Sequence, residues 1–256
     1  ACWEAGRASR VAASPGLGVV DMRVRYGQVS AIEDSSVAVP EGSCTALIGP
    51  SGCGKSTLAR AVMGLERDQS GRVLMSGEAF TQPTPKQRRA VQIVFQDPFS
   101  SFDPRRRVRE ILLEPFWAEK QKPERPDLVK VLKAVGLEED ALERFPHAFS
   151  GGQRQRIAIA RALLAQPKLI ILDEAVSGLD ASVRAEILAL LVSLRQEQGL
   201  AYLFITHDLG LLSGFADQVL IMESGRIVER GETKSVLAAP QSRYTQALIE
   251  IGRAHV

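Results

Sequence analysis

Cysteine is scarce in this 256-residue chain: Cys2, Cys44 and Cys53 are the whole set. They make neither a pairable disulfide framework nor a metal-binding spacing, so a reducing cytosol is the expected compartment. Histidine is as rare, and His147, His207 and His255 are too scattered to read as a metal cluster. Neither charge sign is in large excess. The formal net charge of +2 supplies no global field for nucleic acid or an anionic membrane, and no nucleic-acid partner is expected. Long hydrophobic runs are missing too. The longest purely apolar one, Ile187 to Val192, falls far short of the ~18 residues a spanning helix needs. The first eighteen residues, rich in Ala, Gly, Ser and Arg, lack periodicity and the apolar centre of a signal peptide. They read as a flexible tail or linker (1–18).

What is present is ordinary globular composition, 45% hydrophobic and 24% charged, enough for one large domain or a core with an inserted subdomain. Val20, Met22, Val24 and Tyr26 alternate with polar residues, as in a half-buried antiparallel strand, and Ser36 to Val39 reads as its partner. Tyr26 is either a strand-end aromatic or a face on which adenine can stack. Cys44 to Ile48 is a short apolar strand. It leads directly into Gly49-Pro50-Ser51-Gly52-Cys53-Gly54-Lys55-Ser56-Thr57, the G-x-x-x-x-G-K-[ST] pattern in its strand–loop–helix context. The glycines let backbone N–H groups converge on a β-phosphate. Lys55 reaches the β- and γ-phosphates, Ser56 can ligate Mg²⁺, and a helix over Lys55 to Leu65 points its N-terminus at the anion.

Arg72 to Met75 and Val91 to Phe95 are further strands, the second ending at Gln96-Asp97-Pro98. Gln96 is either a solvated loop amide or a polar group brought to the metal and the attacking water. Strand signals then stop. Val108 to Phe116, Asp127 to Val135 and Glu139 to Phe145 read as short helices between proline-rich turns, a helical insertion into an α/β core. The run Arg105-Arg106-Arg107 with Arg109 reads as a solvated face.

Phe149-Ser150-Gly151-Gly152-Gln153 opens a helix over Gly152 to Ala165. Alone it would be an N-cap, but two glycines and a hydroxyl ahead of a helix N-terminus also suit a terminal phosphate. Leu169 to Leu172 is continuously apolar, as a buried parallel strand is, and ends in Asp173-Glu174. Ligands sit beyond the carboxyl ends of such strands, which brings both carboxylates to the phosphates. Asp173 suits Mg²⁺ contact, and Glu174 suits orienting and deprotonating water. Ser177 to Asp180 leads into a helix over Val183 to Gln198, whose Ile187, Leu190, Leu191 and Leu194 share one face. Tyr202 to Ile205 is the next buried strand, ending in Thr206-His207-Asp208, where His207 can meet a γ-phosphate. A strand pair, Gln218 to Met222 and Arg226 to Arg230, and two terminal helical segments complete the chain.

These motifs, in this order from Val19 onward, resemble the nucleotide-binding subunit of ATP-binding cassette (ABC) transporters. Phe95 to Pro104, His147-Ala148-Phe149 and Arg243 to Leu248 are similar to the peptide and nickel importer subfamily. The chain departs from the common pattern at Phe149, usually Leu, and Gly178, often Ala. The resemblance implies a P-loop NTPase (RecA-like) α/β core with an antiparallel β subdomain and an inserted helical subdomain (about 98–165), the whole domain being 19–256. It implies ATP hydrolysis with Mg²⁺, powering an importer for peptides or nickel. Two ATPase subunits, identical or different, would pair head to tail. Tyr26, Lys55, Ser56, Gln96, Asp173, Glu174 and His207 of one would hold an ATP, and Ser150, Gly151, Gly152 and Gln153 of the other would close over it. Asp180 would serve communication between subunits. Membrane-spanning permease subunits, which this chain does not contain, and an extracytoplasmic solute-binding protein are the further partners implied, with the chain peripheral on the cytoplasmic face of the membrane. The segment Phe99 to Trp117, with Phe102, Phe116 and Trp117, is expected to touch those membrane subunits unless its aromatics pack internally. A soluble ABC ATPase of repair or translation is the competing class. It would show long heptad coiled coils or two cassettes, and neither is visible. A small-molecule kinase would leave Ser150 to Gln153 unexplained.

Overall fold

The computed structural model describes residues 16–80, 83–118 and 122–254. Strands β1 (Gly16–Tyr26), β2 (Val29–Pro40), β4 (Gln69–Met75) and β5 (Glu78–Ala79) form an antiparallel sheet in the order β2-β1-β4-β5. Strands β3 (Cys44–Ile48), β6 (Val91–Phe95), β7 (Leu169–Asp173), β8 (Ala201–Thr206), β9 (Gln218–Glu223) and β10 (Arg226–Glu232) form the second sheet, in the order β10-β9-β3-β8-β7-β6. Its central strands are parallel, and only β10 joins antiparallel.

Continuous apolar runs are required there because both faces of this sheet are covered. Ile170, Leu172, Tyr202 and Phe204 face one core cluster, shared with the helical segments. Leu169, Ile171, Leu203 and Ile205 face the other, shared with the antiparallel sheet. The helices described are α1 (Lys55–Val62), α2 (Pro85–Ala90), α3 (Pro98–Ser101), α4 (Val108–Leu112), α5 (Arg125–Ala134), α6 (Gly151–Leu164), α7 (Ala181–Gln198), α8 (Thr233–Ala238) and α9 (Arg243–Ala254).

Several expectations change in the folded chain. The expected tail falls mostly on residues 1–15, outside the described residues, as do Cys2 and His255. Residues 16–18 belong to β1, where Leu17 is fully buried between Val39 and Met75. The helix expected over Val108 to Phe116 breaks at Leu113 into α4 and a 3₁₀ turn, Glu114–Phe116. Pro115 is the cause, since it has no N–H to give and its ring crowds the carbonyl four residues back. The helix expected at Glu139 to Phe145 is a 3₁₀ turn over Glu139–Glu143. Helix α2 adds to the expected elements, and its sequence signal is local: Thr84 caps it, Pro85 is its first residue and Gln87 closes a capping box.

The basic run is solvent-facing at Arg105 and Arg109, as expected, and its side chains also pair within the helical insertion. Arg105 pairs with Asp103 at 3.0 Å and Arg109 with Glu143 at 2.8 Å. Arg106 lies over the Trp117 ring and Arg107 over that of Phe145, at 4.4 and 5.0 Å from the centroids. Phe102 is buried in the main core cluster and Phe116 is buried beneath the Arg89 guanidinium, which corrects their placement on a docking surface, whereas Trp117 is 53% exposed. No helix among the described residues is long and apolar enough to cross a membrane.

Candidate active site

Register brings the site together. Ile48 pairs with Thr206, Phe95 with Asp173, and Asp173 with Ile205. The residues that follow these strand ends, Gly49, Gln96, Glu174 and His207, therefore leave the sheet along one edge, where α/β sheets bind ligands. A cleft of about 830 Å³ opens there, lined by Ser51, Gly52, Lys55, Ser56, Gln96, Asp173 and Glu174 among others.

The loop after β3 wraps its own lysine. Lys55 is buried, and its Nζ donates to the carbonyls of Gly49 and Pro50, both at 2.9 Å. Gly49 has no room for a side chain: a Cβ would stand 2.3 Å from the carbonyl oxygen of Met222. Gly54 and Thr57 also line the cleft, while Gly49, Pro50 and Cys53 do not. The Cys53 side chain turns into the core behind the loop, and burial pushes its thiol pKa up. Arg60 lines the cleft and was missed by sequence reasoning. Its i,i+4 spacing from Ser56 on α1 was the available signal.

Ser56 donates its hydroxyl to Asp173 Oδ1 at 3.0 Å. Asp173 is 8% exposed, and burial raises its carboxyl pKa above the ordinary value against the pull of the Ser56 hydrogen bond. A carboxylate held dry beside a hydroxyl is suited to a hard cation. Among the described residues there is no cluster of three or more His, Cys, Asp or Glu for a metal. One hydroxyl and one carboxylate fit Mg²⁺, which retains waters and takes phosphate oxygens as its remaining ligands.

Glu174 has a left-handed backbone, φ +51°, a conformation costing a non-glycine residue roughly 1–3 kcal/mol. Its N–H donates to the Ile205 carbonyl at 3.0 Å, and its own carbonyl accepts from the Ser177 N–H at 2.9 Å. The turn thus held leaves Glu174 Oε2 3.5 Å from Nδ1 of His207, a side chain 60% exposed. Tyr26 is 48% exposed at the end of β1, and it does not line the cleft.

None of Ser150, Gly151, Gly152 and Gln153 lines the cleft. Ser150 caps α6: its Oγ accepts from the Gln153 N–H at 3.3 Å, and Gln153 Oε1 accepts from the Ser150 N–H at 3.0 Å. This leaves the Ser150 hydroxyl proton and the first helical N–H groups able to donate outward. Gly152 also has a reason internal to the chain, since a Cβ there would stand 2.5 Å from Val183 Cγ1. Gly151 instead borders a smaller cavity of about 290 Å³ with Gln96, Asp97, Ser177 and Gly178. Gly178 has φ +77°, where glycine is less strained than the alanine often found at this position. Asp180 caps α7, accepting from the Val183 N–H at 3.0 Å.

Comparison with known proteins gives the family. The family model described as "ABC transporter" matches residues 32–177. A dipeptide transport ATP-binding protein, DppF of Haemophilus influenzae, is 41% identical over 229 residues, covering 87% of this chain and 70% of that one. A probable D,D-dipeptide transport ATP-binding protein, DdpF of Escherichia coli, is 44% identical over 225 residues, with 87% and 70% covered. An ATP-binding cassette solved as a dimer in a post-hydrolysis state, bound to ADP and Pi, superposes with a TM-score of 0.74 at 26% identity, over 85% of this chain and 98% of that one. With a matched model spanning more than half of its length and a phosphate loop, acidic strand end and histidine on one sheet edge, the chain belongs to the ABC transporter family and is an ATP-hydrolysing cassette of the P-loop NTPase fold.

Proposed function

We propose that this chain powers a peptide importer as one of two ATPase subunits docked on membrane-spanning permease subunits. The observation that carries the reading is the line Ser56–Asp173–Glu174–His207 along one sheet edge, beside a lysine-bearing phosphate loop. ATP enters with its phosphates against Ser51 to Thr57, and Lys55 exchanges its two loop carbonyls for phosphate oxygens. Ser56 and Asp173 hold Mg²⁺, with Gln96 reaching it from its loop; the ion, when bound, neutralises phosphate charge. Glu174 orients water for in-line attack and accepts its proton, and His207 contacts the γ-phosphate. Tyr26 offers its exposed ring to the adenine. The second subunit supplies Ser150, Gly151, Gly152 and Gln153, because in this chain those residues lie outside the cleft they would serve. Asp180, at the head of α7, faces that subunit and communicates its arrival.

Peptide is the favoured solute because the relatives at 41–44% identity are dipeptide transport proteins. Nickel stays as the alternative of the same subfamily. The assembly would work at the cytoplasmic face of the membrane with an extracytoplasmic solute-binding protein. Purification from membranes with mass identification of attached subunits tests this, and recovery without permease subunits would favour a soluble repair or translation ATPase. Glu174→Gln tests the chemistry. Turnover should fall roughly 10²–10⁴-fold, the usual worth of a positioned base, with ATP binding retained. Hydrolysis near the wild-type rate would remove Glu174 from its role.

A further inference from the structure

Two loops of the site, Ser177 to Asp180 and His207 to Gly210, are joined by one side chain that the chemistry above does not use. Arg184, in the first turn of α7, donates from Nη2 to the carbonyl of Leu179 at 3.0 Å and from Nη1 to Asp208 Oδ2 at 3.5 Å. Its Nε is buried and has no acceptor. Asp208 is itself a local brace for its loop. Its Oδ1 accepts from the Gly210 N–H at 2.8 Å, and its N–H donates to Thr206 Oγ1 at 3.1 Å. One residue earlier stands His207, 3.5 Å from Glu174.

The guanidinium is a rigid fork, so its arms cannot shift independently. If Leu179 moves, the Nη2 arm follows its carbonyl and the Nη1 arm carries Asp208 with it. The first loop can move: Gly178 and Asp180 are exposed, and a Cβ on Gly178 would meet nothing within 4 Å. The buried Nε adds a bias. A charged donor without an acceptor favours any rearrangement that supplies one.

We propose that Arg184 is a positioning residue which ties the Ser177–Asp180 loop to the His207 loop, so that a second ATPase subunit seated on the first loop adjusts where His207 stands relative to Glu174. The inference rests on the roles proposed above for His207 and Glu174. It goes beyond them by naming the connection through which one subunit's arrival reaches the other loop's histidine.

The test is a double-mutant cycle on the assembled ATPase: Arg184→Met, Asp208→Asn and the pair, with Glu174→Gln measured alongside. Each single substitution should lower kcat roughly tenfold, within the range of ordinary site-to-site coupling, while KM for ATP and Tm stay near wild type. The pair should fall no further than the worse single, because both changes cut one connection. Losses that multiply in the pair, or a kcat unchanged by Arg184→Met, overturn the proposal. So does a fall in Tm that accompanies the loss of rate, which would mark a packing role. If Glu174→Gln retains turnover, the site reading itself fails; if it is inactive while Arg184→Met is not, only the Arg184 inference fails.

Discussion

Substituting Gly152 by alanine separates two reasons for a glycine that coincide at one position. On the helix, alanine gains up to about 1 kcal/mol over glycine, less near an N-terminus. Against this, the new Cβ stands 2.5 Å from Val183 Cγ1, well inside van der Waals contact. Val183 cannot yield freely: it is β-branched with few χ1 rotamers, and its N–H is held by Asp180. Overpacking of this kind costs roughly 1–3 kcal/mol, so the clash outweighs the propensity gain and α6 is pushed from α7. A net loss of about 1–2 kcal/mol lowers Tm by several degrees at this size, at roughly 2–4 °C per kcal/mol. Calorimetry on Gly152→Ala, Val183→Ala and the pair measures it. The pair should melt close to Val183→Ala alone, since the offending methyl is gone. ATP turnover should return with stability in the pair, because the Cβ points at Val183 on α7 and leaves the outward α6 N–H groups free. A Tm unchanged in Gly152→Ala would refute the packing argument. Turnover staying low in a pair of restored stability would refute a purely internal fitting and show that the added methyl disturbs the partner-bound phosphate.

Lys55→Met should weaken nucleotide binding about 10–100-fold, from the loss of charge-assisted hydrogen bonds of roughly 1.5–3 kcal/mol, as read by titration with a fluorescent ATP analogue; equal affinities would mean that the loop does not bind phosphate. Asp173→Asn should raise the Tm of the nucleotide-free protein at neutral pH, because burial raises the Asp173 pKa and so penalises its charged form in the folded state. That penalty is absent below the ordinary carboxylate range near pH ~4 and grows as pH rises through the raised pKa, so the variant's advantage should vanish in acid and Mg²⁺-dependent binding should be lost throughout. Phe116→Ala should cost roughly 3–5 kcal/mol as a buried-aromatic truncation, whereas Trp117→Ala should leave Tm nearly unchanged and instead loosen the coupling of hydrolysis to transport; a large Tm loss for Trp117→Ala would place its ring in the core.

The local features of this chain were determined by the sequence. Cys44 to Ile48 matches β3 residue for residue, because a strand buried on both faces is nearly all apolar, and Val91 to Phe95 matches β6, an edge strand that admits the half-buried Gln92. The phosphate loop was equally legible, since anion-binding backbone needs glycines and a lysine at set spacing. Tertiary structure alone decided what depends on residues distant in sequence. Whether Phe102 and Phe116 face a partner or the interior depends on how the insertion packs, and both are buried. The left-handed backbone of Glu174 is held from Ile205 on the neighbouring strand, and the clash that forbids a side chain at Gly152 comes from Val183 on another helix. In the sequence Arg184 is one more charge on a helix, and its reach to Asp208 depends on the pairing of β7 with β8. Periodicity and motif spacing report the environment of neighbours along the chain. Contacts across the register of a sheet, or between two helix starts, are set by packing, which no single segment encodes.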